Sequence, residues 1–134
     1  RAVPGFVVQF GLAADPAVTS TMNERRIPDD SVRMENVRGT VSFATAGPNT
    51  RTTQLFINLG DNRRLDASGF SVVGRIIGGM RVVDSLHFGY GEGAPRGQGP
   101  EQGRIQREGE AYLAADFPAL DKILRATILR TYSK

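Results

Sequence analysis

The chain has 134 residues, of which 40% are apolar and 23% charged, and it carries a net charge of +3. That is the length of one ordinary domain, and its apolar share is not far below the roughly 45–50% of soluble domains, so wholesale disorder is excluded. The absence of Cys removes disulfides, thiolate metal sites and a cysteine nucleophile, and the single histidine, His87, argues against a multi-histidine metal centre.

No apolar run approaches the roughly 18 residues that a membrane-spanning helix needs. The basic residues are nearly all arginine, and they are scattered. Arg25-Arg26 and Arg63-Arg64 are the only adjacent pairs, so no nucleic-acid-binding patch is expected. Sixteen Gly and 7 Pro imply many turns and short elements, in a chain that is mainly β. The first residue is Arg1 rather than Met, and apolar Phe6-Val7-Val8 follows closely, which suggests an N-terminus that has been cut or is incomplete. The compartment is therefore left open at this point.

Residues 3–10 read as a first strand entered through the Pro4-Gly5 bend, and residues 11–38 as a long polar loop with one helical turn. Residues 39–44 form a second strand and 46–50 a turn, with Pro48 and Asn49 suited to its corners. Residues 53–58 are β-branched and aromatic, hence a third strand. A polar loop over 61–69 leads to a fourth strand over 70–77. Apolar Met80, Val83 and His87 recur at helical spacing, which predicts a short amphipathic helix over 79–87. Residues 89–110 are rich in Gly, Gln and Glu and read as loop; residues 123–130 read as a last strand.

Most candidate chemistries lack their parts. Gly89-Tyr-Gly-Glu-Gly93 has neither the GxGxxG spacing nor the Lys and Ser/Thr of a phosphate loop, and it follows a helix rather than a strand. His87 has no second ligand nearby and reads as a structural histidine. Ser42 lacks the Gly-x-Ser-x-Gly elbow that exposes a hydrolase nucleophile. Asp15, Asp29 and Asp30 lack the spacing of a calcium loop.

One constellation is better furnished. Gln54 and Phe56 share a parity and face one side of their strand, as Arg1 and Gln9 do on theirs. Phe6 has the other parity, so a bulge or kink near Pro4-Gly5 is needed to bring it in. An apolar floor of Phe6, Phe56 and Phe70, edged by one arginine and two glutamines, suits an apolar ring flanked by peptide bonds. The same pattern also fits alternating core and rim residues of a barrel.

The stretches Val3-Pro-Gly-Phe-Val-Val-Gln9, Gly39-Thr-Val-Ser-Phe-Ala-Thr-Ala-Gly-Pro-Asn-Thr50, Gln54-Leu-Phe-Ile57, Leu65-Asp-Ala-Ser-Gly-Phe70 and Val73-Gly-Arg-Ile-Ile-Gly-Gly-Met-Arg-Val-Val83 closely resemble the cyclophilin family of peptidyl-prolyl cis-trans isomerases. They span most of residues 1–86 in the family's order, and Gly69-Phe-Ser-Val-Val-Gly74 with Tyr90-Gly-Glu-Gly93 look most like bacterial members. The resemblance implies a closed antiparallel barrel, of eight strands in the complete fold, with short helices. In the family two strands and a helix precede the position of Arg1, so the chain is expected to be one N-terminally truncated domain over 1–134. Residues 91–122 fit the family pattern poorly and receive no role.

Residue by residue, the resemblance makes Arg1 the catalytic arginine, with Phe6 and Gln9 beside it. It makes Ala44, Thr45 and Ala46 the segment whose backbone pairs with substrate before proline, Thr45 standing where many members have asparagine. Gln54, Phe56, Leu65 and Phe70 match further pocket positions, Phe70 standing where many members carry histidine. Arg64 falls at or beside the position of a tryptophan that helps to bind cyclosporin, and weak cyclosporin binding is expected. The implied activity is isomerisation of X–Pro bonds in proline-containing peptides and folding proteins, with no cofactor or metal. The alternative is a non-catalytic peptide-binding or chaperone-like module on the same barrel. The resemblance allows the bacterial periplasm or cytoplasm, with a lean to the periplasm.

Overall fold

The computed structural model describes residues 1–130 of the chain. Its centre is a five-stranded sheet in which every pairing is antiparallel: β1 (Ala2–Val3), β2 (Val7–Phe10), β3 (Thr40–Phe43), β4 (Leu55–Asn58) and β5 (Val72–Arg75). The order across the sheet is β1-β2-β4-β3-β5, and it stays open, with β1 and β5 as its outer strands. The mainly antiparallel β architecture expected from the sequence is present. Closure into a barrel is not seen among the described residues.

The strand expected over 3–10 is in fact a hairpin. Pro4 and Gly5 occupy the two corners of a tight turn closed by the Phe6 N–H donating to the Val3 carbonyl at 3.1 Å. Gly5 has φ +67, the conformation that the third residue of a type II turn requires and that glycine adopts without strain. The chain reverses there, so Val3 pairs with Val7 and Ala2 with Val8. This reversal, rather than a bulge in one continuous strand, reconciles the parities of Arg1, Phe6 and Gln9.

The long polar stretch after β2 holds an eight-residue helix, α1 (Pro16–Asn23), rather than a single turn. Asp15 caps it, its carboxylate accepting the Ala17 N–H at 2.8 Å, and Pro16 opens the first turn, where its missing N–H costs nothing. A short 3₁₀ helix (Arg63–Ser68) lies within the loop expected over 61–69. The amphipathic helix expected over 79–87 is α2 (Met80–Asp84). Met80, Val83, Leu86 and Phe88 pack on Ala2, Val8 and Leu59, forming a small apolar core on one face of the sheet.

Two expectations are overturned. The stretch read as loop over 89–110 ends in α3 (Gln102–Asp116), a 15-residue helix kinked at Gly109. At Gly109 the backbone leaves helical geometry (φ 59, ψ −139), and the next N–H, of Glu110, donates to the Ala14 carbonyl at 2.9 Å. A β-carbon on Gly109 would lie 2.1 Å from that carbonyl oxygen, so the start of α1 seats directly on the backbone of α3. Residues 123–130, read as a closing strand, form no strand: Leu124 and Leu129 are 86% and 95% exposed. A β-branched, apolar sequence fits a pleated, half-buried surface, and among the described residues no strand lies beside 123–129 to supply one.

His87 is exposed and packs edge-on against Tyr90 at 4.8 Å, and Tyr90 continues to Phe117 and Tyr112 in a chain of edge-to-face rings. That agrees with a structural histidine.

Candidate active site

The sheet's register sets out the site. Arg1 lies opposite Gln9, exchanging two backbone hydrogen bonds with it at 3.0 and 2.9 Å, and Gln9 lies opposite Phe56, which lies opposite Ser42. The four residues form one row across β1, β2, β4 and β3, and side chains in such a row share a face. Gln54 stands two residues from Phe56 on the same face. The Gln9 side chain bridges the row: Arg1 Nε donates to Gln9 Oε1 at 3.0 Å, and Gln9 Nε2 donates to Gln54 Oε1 at 2.9 Å.

This face opens into a cleft of about 520 Å³. Arg1, Phe6 and Gln9 line it from the hairpin, Gln54 and Phe56 from β4. Ala44, Thr45 and Ala46 line it beyond the end of β3, and Leu65 and Phe70 close another wall. All ten residues singled out from the sequence thus border one cavity. Phe56 is 4% exposed and meets Phe70 edge-on at 5.7 Å, an apolar corner beside the polar Arg1–Gln9–Gln54 line. At the rim the Arg64 guanidinium lies over the Phe6 ring, 4.8 Å from its centroid.

The segment 44–50 is tied into a compact turn. Thr50 Oγ1 accepts the Ala46 N–H at 2.9 Å and bonds to Thr45 Oγ1 at 2.9 Å, while Asn49 holds the left-handed conformation (φ 57). The Ala44 N–H donates to the Gln54 carbonyl at 2.9 Å, which fixes this turn to β4.

Beneath the wall lies a buried amide network that the sequence did not announce. Asn36, Asn58 and Ser42 are fully buried and Asn62 is 2% exposed. Asn36 donates to Asp66 Oδ1 and to the Phe70 carbonyl, both at 2.7 Å, and accepts from Ser42 Oγ at 2.7 Å and Asn58 Nδ2 at 3.0 Å. Asn58 Oδ1 in turn accepts from Asn62, whose amide also donates to the Phe6 carbonyl at 2.9 Å. The network therefore holds the backbone of two cleft residues, Phe6 and Phe70. Asn36 and Asn62 lie in stretches that read as loop and Ser42 and Asn58 in stretches that read as strand, so no signal in the sequence marked the four as one network.

Sequence reasoning also missed the far side of the cleft, where Asn23 and Arg26 stand at the end of α1 and Gln102 and Gln106 on α3. Gln102 and Gln106 are one helical turn apart and share a face, a signal that was hidden once 89–110 was read as loop. Glu92, from the glycine-rich loop, was missed too: its carboxylate forms an ion pair with Arg1 Nη1. Burial pushes that carboxyl up, but the Gly93 N–H, the Arg1 guanidinium and the charge of Arg96 together hold it below the ordinary carboxylate value. Among the described residues no cluster of His, Asp and Glu is arranged to hold a metal ion, and no helix is long and apolar enough to cross a membrane.

The family described as "Cyclophilin type peptidyl-prolyl cis-trans isomerase/CLD" matches residues 1–107. A peptidyl-prolyl cis-trans isomerase of Acinetobacter baylyi is 35% identical over 96 residues, 64% of this chain and 48% of that protein. Peptidyl-prolyl cis-trans isomerase A of Dickeya dadantii is 34% identical over 91 residues, with the same coverage of the two chains. Peptidyl-prolyl cis-trans isomerase-like 3 of Mus musculus is 37% identical over 92 residues, 64% of this chain and 55% of that protein. The chain spans about half the length of the relatives it matches. With most of its length matched and a cleft assembled from the matching segments, this chain belongs to the cyclophilin-type peptidyl-prolyl cis-trans isomerase family.

Proposed function

We propose that the cleft binds proline-containing peptides and accelerates cis-trans isomerisation of their X–Pro bonds, with Arg1 as the catalytic group. The observation that carries this reading is the convergence of Arg1, Gln9, Phe56, Leu65, Phe70 and the 44–46 segment, far apart in sequence, on one cavity with an apolar corner and a polar edge.

The chemistry asks little of the protein. Rotation about a peptide bond is opposed by about 18–20 kcal/mol of amide resonance, while the two X–Pro isomers differ by only about 0.5–1 kcal/mol. At the twisted geometry resonance is lost and the prolyl nitrogen regains a lone pair. A guanidinium N–H donating to that nitrogen binds the transition state more strongly than either ground state, which is what lowers the barrier. Arg1 Nε is engaged by Gln9 and Nη1 by Glu92, leaving Nη2 for substrate. Phe6, Phe56 and Leu65 grip the proline ring, and Gln9 holds the carbonyl on the moving side. The backbone at Ala44, Thr45 and Ala46 pairs with the residue before proline, and Phe70 supports the ring of Phe56. Each tenfold acceleration requires about 1.4 kcal/mol of differential binding, so a few such contacts supply several orders of magnitude.

In the same reading the open sheet is part of the family's closed barrel. Two features support this: β1 and β5 are outer strands, and the apolar residues Ile123, Leu124, Ile128 and Leu129 are exposed outside any strand among the described residues. We also propose that cyclosporin binds weakly, because the charged Arg64, rather than an indole, borders the rim beside Phe6.

The test is X–Pro exchange NMR of a short peptide with the 134-residue chain and with Arg1→Ala. Acceleration lost in the variant, with peptide affinity retained, supports the catalytic reading. Peptide binding without acceleration by either protein replaces it with the non-catalytic binding module, and acceleration that survives Arg1→Ala removes Arg1 from the mechanism.

A further inference from the structure

The Gly89-Tyr-Gly-Glu-Gly93 motif lacks the spacing of a phosphate loop, yet the loop it opens is closely built. The Gly99 N–H donates to the Glu92 carbonyl at 2.8 Å, the Gln98 N–H to the Tyr90 carbonyl at 3.0 Å, and Gly93 bridges to Gly99. A β-carbon on Gly97 would lie 2.3 Å from the Glu92 oxygen and 2.9 Å from its nitrogen, and one on Gly99 would lie 2.6 Å from the Gly91 oxygen. Only a chain without side chains at 97 and 99 can fold back this tightly on Glu92. The Glu92 backbone is thus clamped from behind.

The side chain reaches Arg1, which borders the cleft. One carboxylate oxygen accepts from its neighbour's N–H, Gly93, at 2.9 Å, and the same oxygen accepts from Arg1 Nη1. The pair is sheltered, with the Glu92 side chain 20% exposed and that of Arg1 34%. Arg1 is therefore held by two groups, Gln9 Oε1 on Nε and Glu92 on Nη1. Two bonds to different edges of a planar guanidinium fix its plane, where one bond alone leaves the long side chain free to swing.

We propose that Glu92 is a positioning residue: with Gln9 it fixes the plane of the Arg1 guanidinium, so that the remaining nitrogen, Nη2, faces the prolyl nitrogen of a bound X–Pro peptide. The proposal rests on the reading of Arg1 as the catalytic group. It gives the glycine-rich loop a purpose, which is to carry one carboxylate to a fixed point 91 residues away in sequence. Holding a reacting group in place before substrate arrives removes orientational freedom that the transition state would otherwise have to freeze, and a displacement of about 1 Å can cost on the order of a hundredfold.

The charged groups acting on Glu92 are the Arg1 guanidinium, the Arg1 amino group and Arg96. Its carboxyl lies below the ordinary value, so the pair persists through neutral and mildly acid pH and is lost as pH falls through that depressed value.

The test compares the 134-residue chain with Glu92→Gln, Glu92→Asp and Gly97→Ala. The first readout is the Arg1 Nε–H resonance, which needs no turnover. It is expected to be slowed in exchange in the parent chain, to shift and exchange faster in Glu92→Gln, and to move the same way in Gly97→Ala, which displaces Glu92 without removing it. An Arg1 Nε–H signal unchanged by Glu92→Gln overturns the proposal. The second readout is exchange NMR of a proline peptide at saturation. Turnover is expected to fall tenfold to a hundredfold in Glu92→Gln, about the cost of misplacing a reacting group, with peptide Kd little changed and partial recovery in Glu92→Asp. A purely structural role would lower thermal stability and leave turnover per folded molecule intact, and that result also overturns it. Arg1→Ala distinguishes the two levels: if it retains turnover, the reading of the cleft fails. If it loses turnover while Glu92→Gln keeps it, only the role of Glu92 fails.

Discussion

Replacing Asn36 by alanine probes the support beneath the cleft. The side chain is fully buried and makes four hydrogen bonds, two donated to Asp66 and the Phe70 carbonyl and two accepted from Ser42 and Asn58. Each such bond contributes about 1 kcal/mol net, and buried groups left unpaired cost about 1–3 kcal/mol each. Asn58 keeps Thr40 as a partner and Asp66 keeps the Asn36 backbone N–H, but the buried Ser42 hydroxyl has no other partner among the described residues. The expected loss is about 4 kcal/mol, a large share of the about 5–15 kcal/mol that holds a domain together. In urea, with a slope of about 2 kcal/mol per molar for a chain of this size, the midpoint falls by about 2 M. Asn36→Asp is the sharper control. It keeps the shape but removes both donated bonds and sets a second carboxylate beside Asp66, so at neutral pH it should be at least as damaging. In either variant, studied where it is still folded, peptide affinity should drop as well, because Phe70 loses its anchor. A midpoint shift below about 0.5 M for Asn36→Ala, or a well-tolerated Asn36→Asp, would refute the view that the network rather than apolar packing supports this wall.

Two further predictions follow from the same geometry. Phe56→Ala empties the apolar corner of the cleft; it should cost about 3–5 kcal/mol in a thermal or denaturant unfolding experiment and weaken peptide binding in a titration, since one ring serves both the core and the site. Gly109→Ala puts a β-carbon against the Ala14 carbonyl in a left-handed backbone conformation, and hydrogen exchange should show α1 and α3 losing protection together while β2 and β4 keep theirs.

Strands and turns were legible where local chemistry and burial agree. Thr40–Phe43 and Leu55–Asn58 carry the β-branched and aromatic residues of strands, and Pro4-Gly5 and Pro48-Asn49 carry turn chemistry, so each was found at or near its observed place. The site was legible through the resemblance, because nine of its ten residues lie in the segments that carry it and Arg1 stands two residues before the first of them. What was illegible depends on partners distant in sequence. In α3 two glycines and many charged and amide residues leave few apolar positions; the helix stands because Gly109 admits Ala14 and Pro16 and because Tyr112, its ring covered by Arg104, caps Glu101 through its hydroxyl. Asp29 and Asp30 look like free carboxylates in the sequence. In the fold they flank Arg51, 3% exposed, at 3.3 and 3.1 Å, while that guanidinium also lies 5.3 Å from the centre of the Phe43 ring. Their cation is internal, which no spacing rule reveals.

The segment 123–129 shows the same dependence in reverse, since its residues have strand character and, among the described residues, no strand beside them. None of the backbone groups of 123–129 bonds to a strand among the described residues, and Ile123, Leu124, Ile128 and Leu129 are all more than half exposed. A strand gains its stability from the neighbour that accepts its N–H groups and from the side chains it packs beside, and without either the extended form has no advantage over the solvated coil. The amides of 123–129 should therefore exchange within a small factor of random-coil rates in dilute solution, while those of β4, paired on both sides, exchange only through global opening. Protection of 123–129 at low concentration would show that the segment has found an edge within its own chain and would refute the argument. Protection that grows with protein concentration would locate the edge on another molecule, and β1 and β5, the outer strands of the open sheet, are the two places where such pairing can begin.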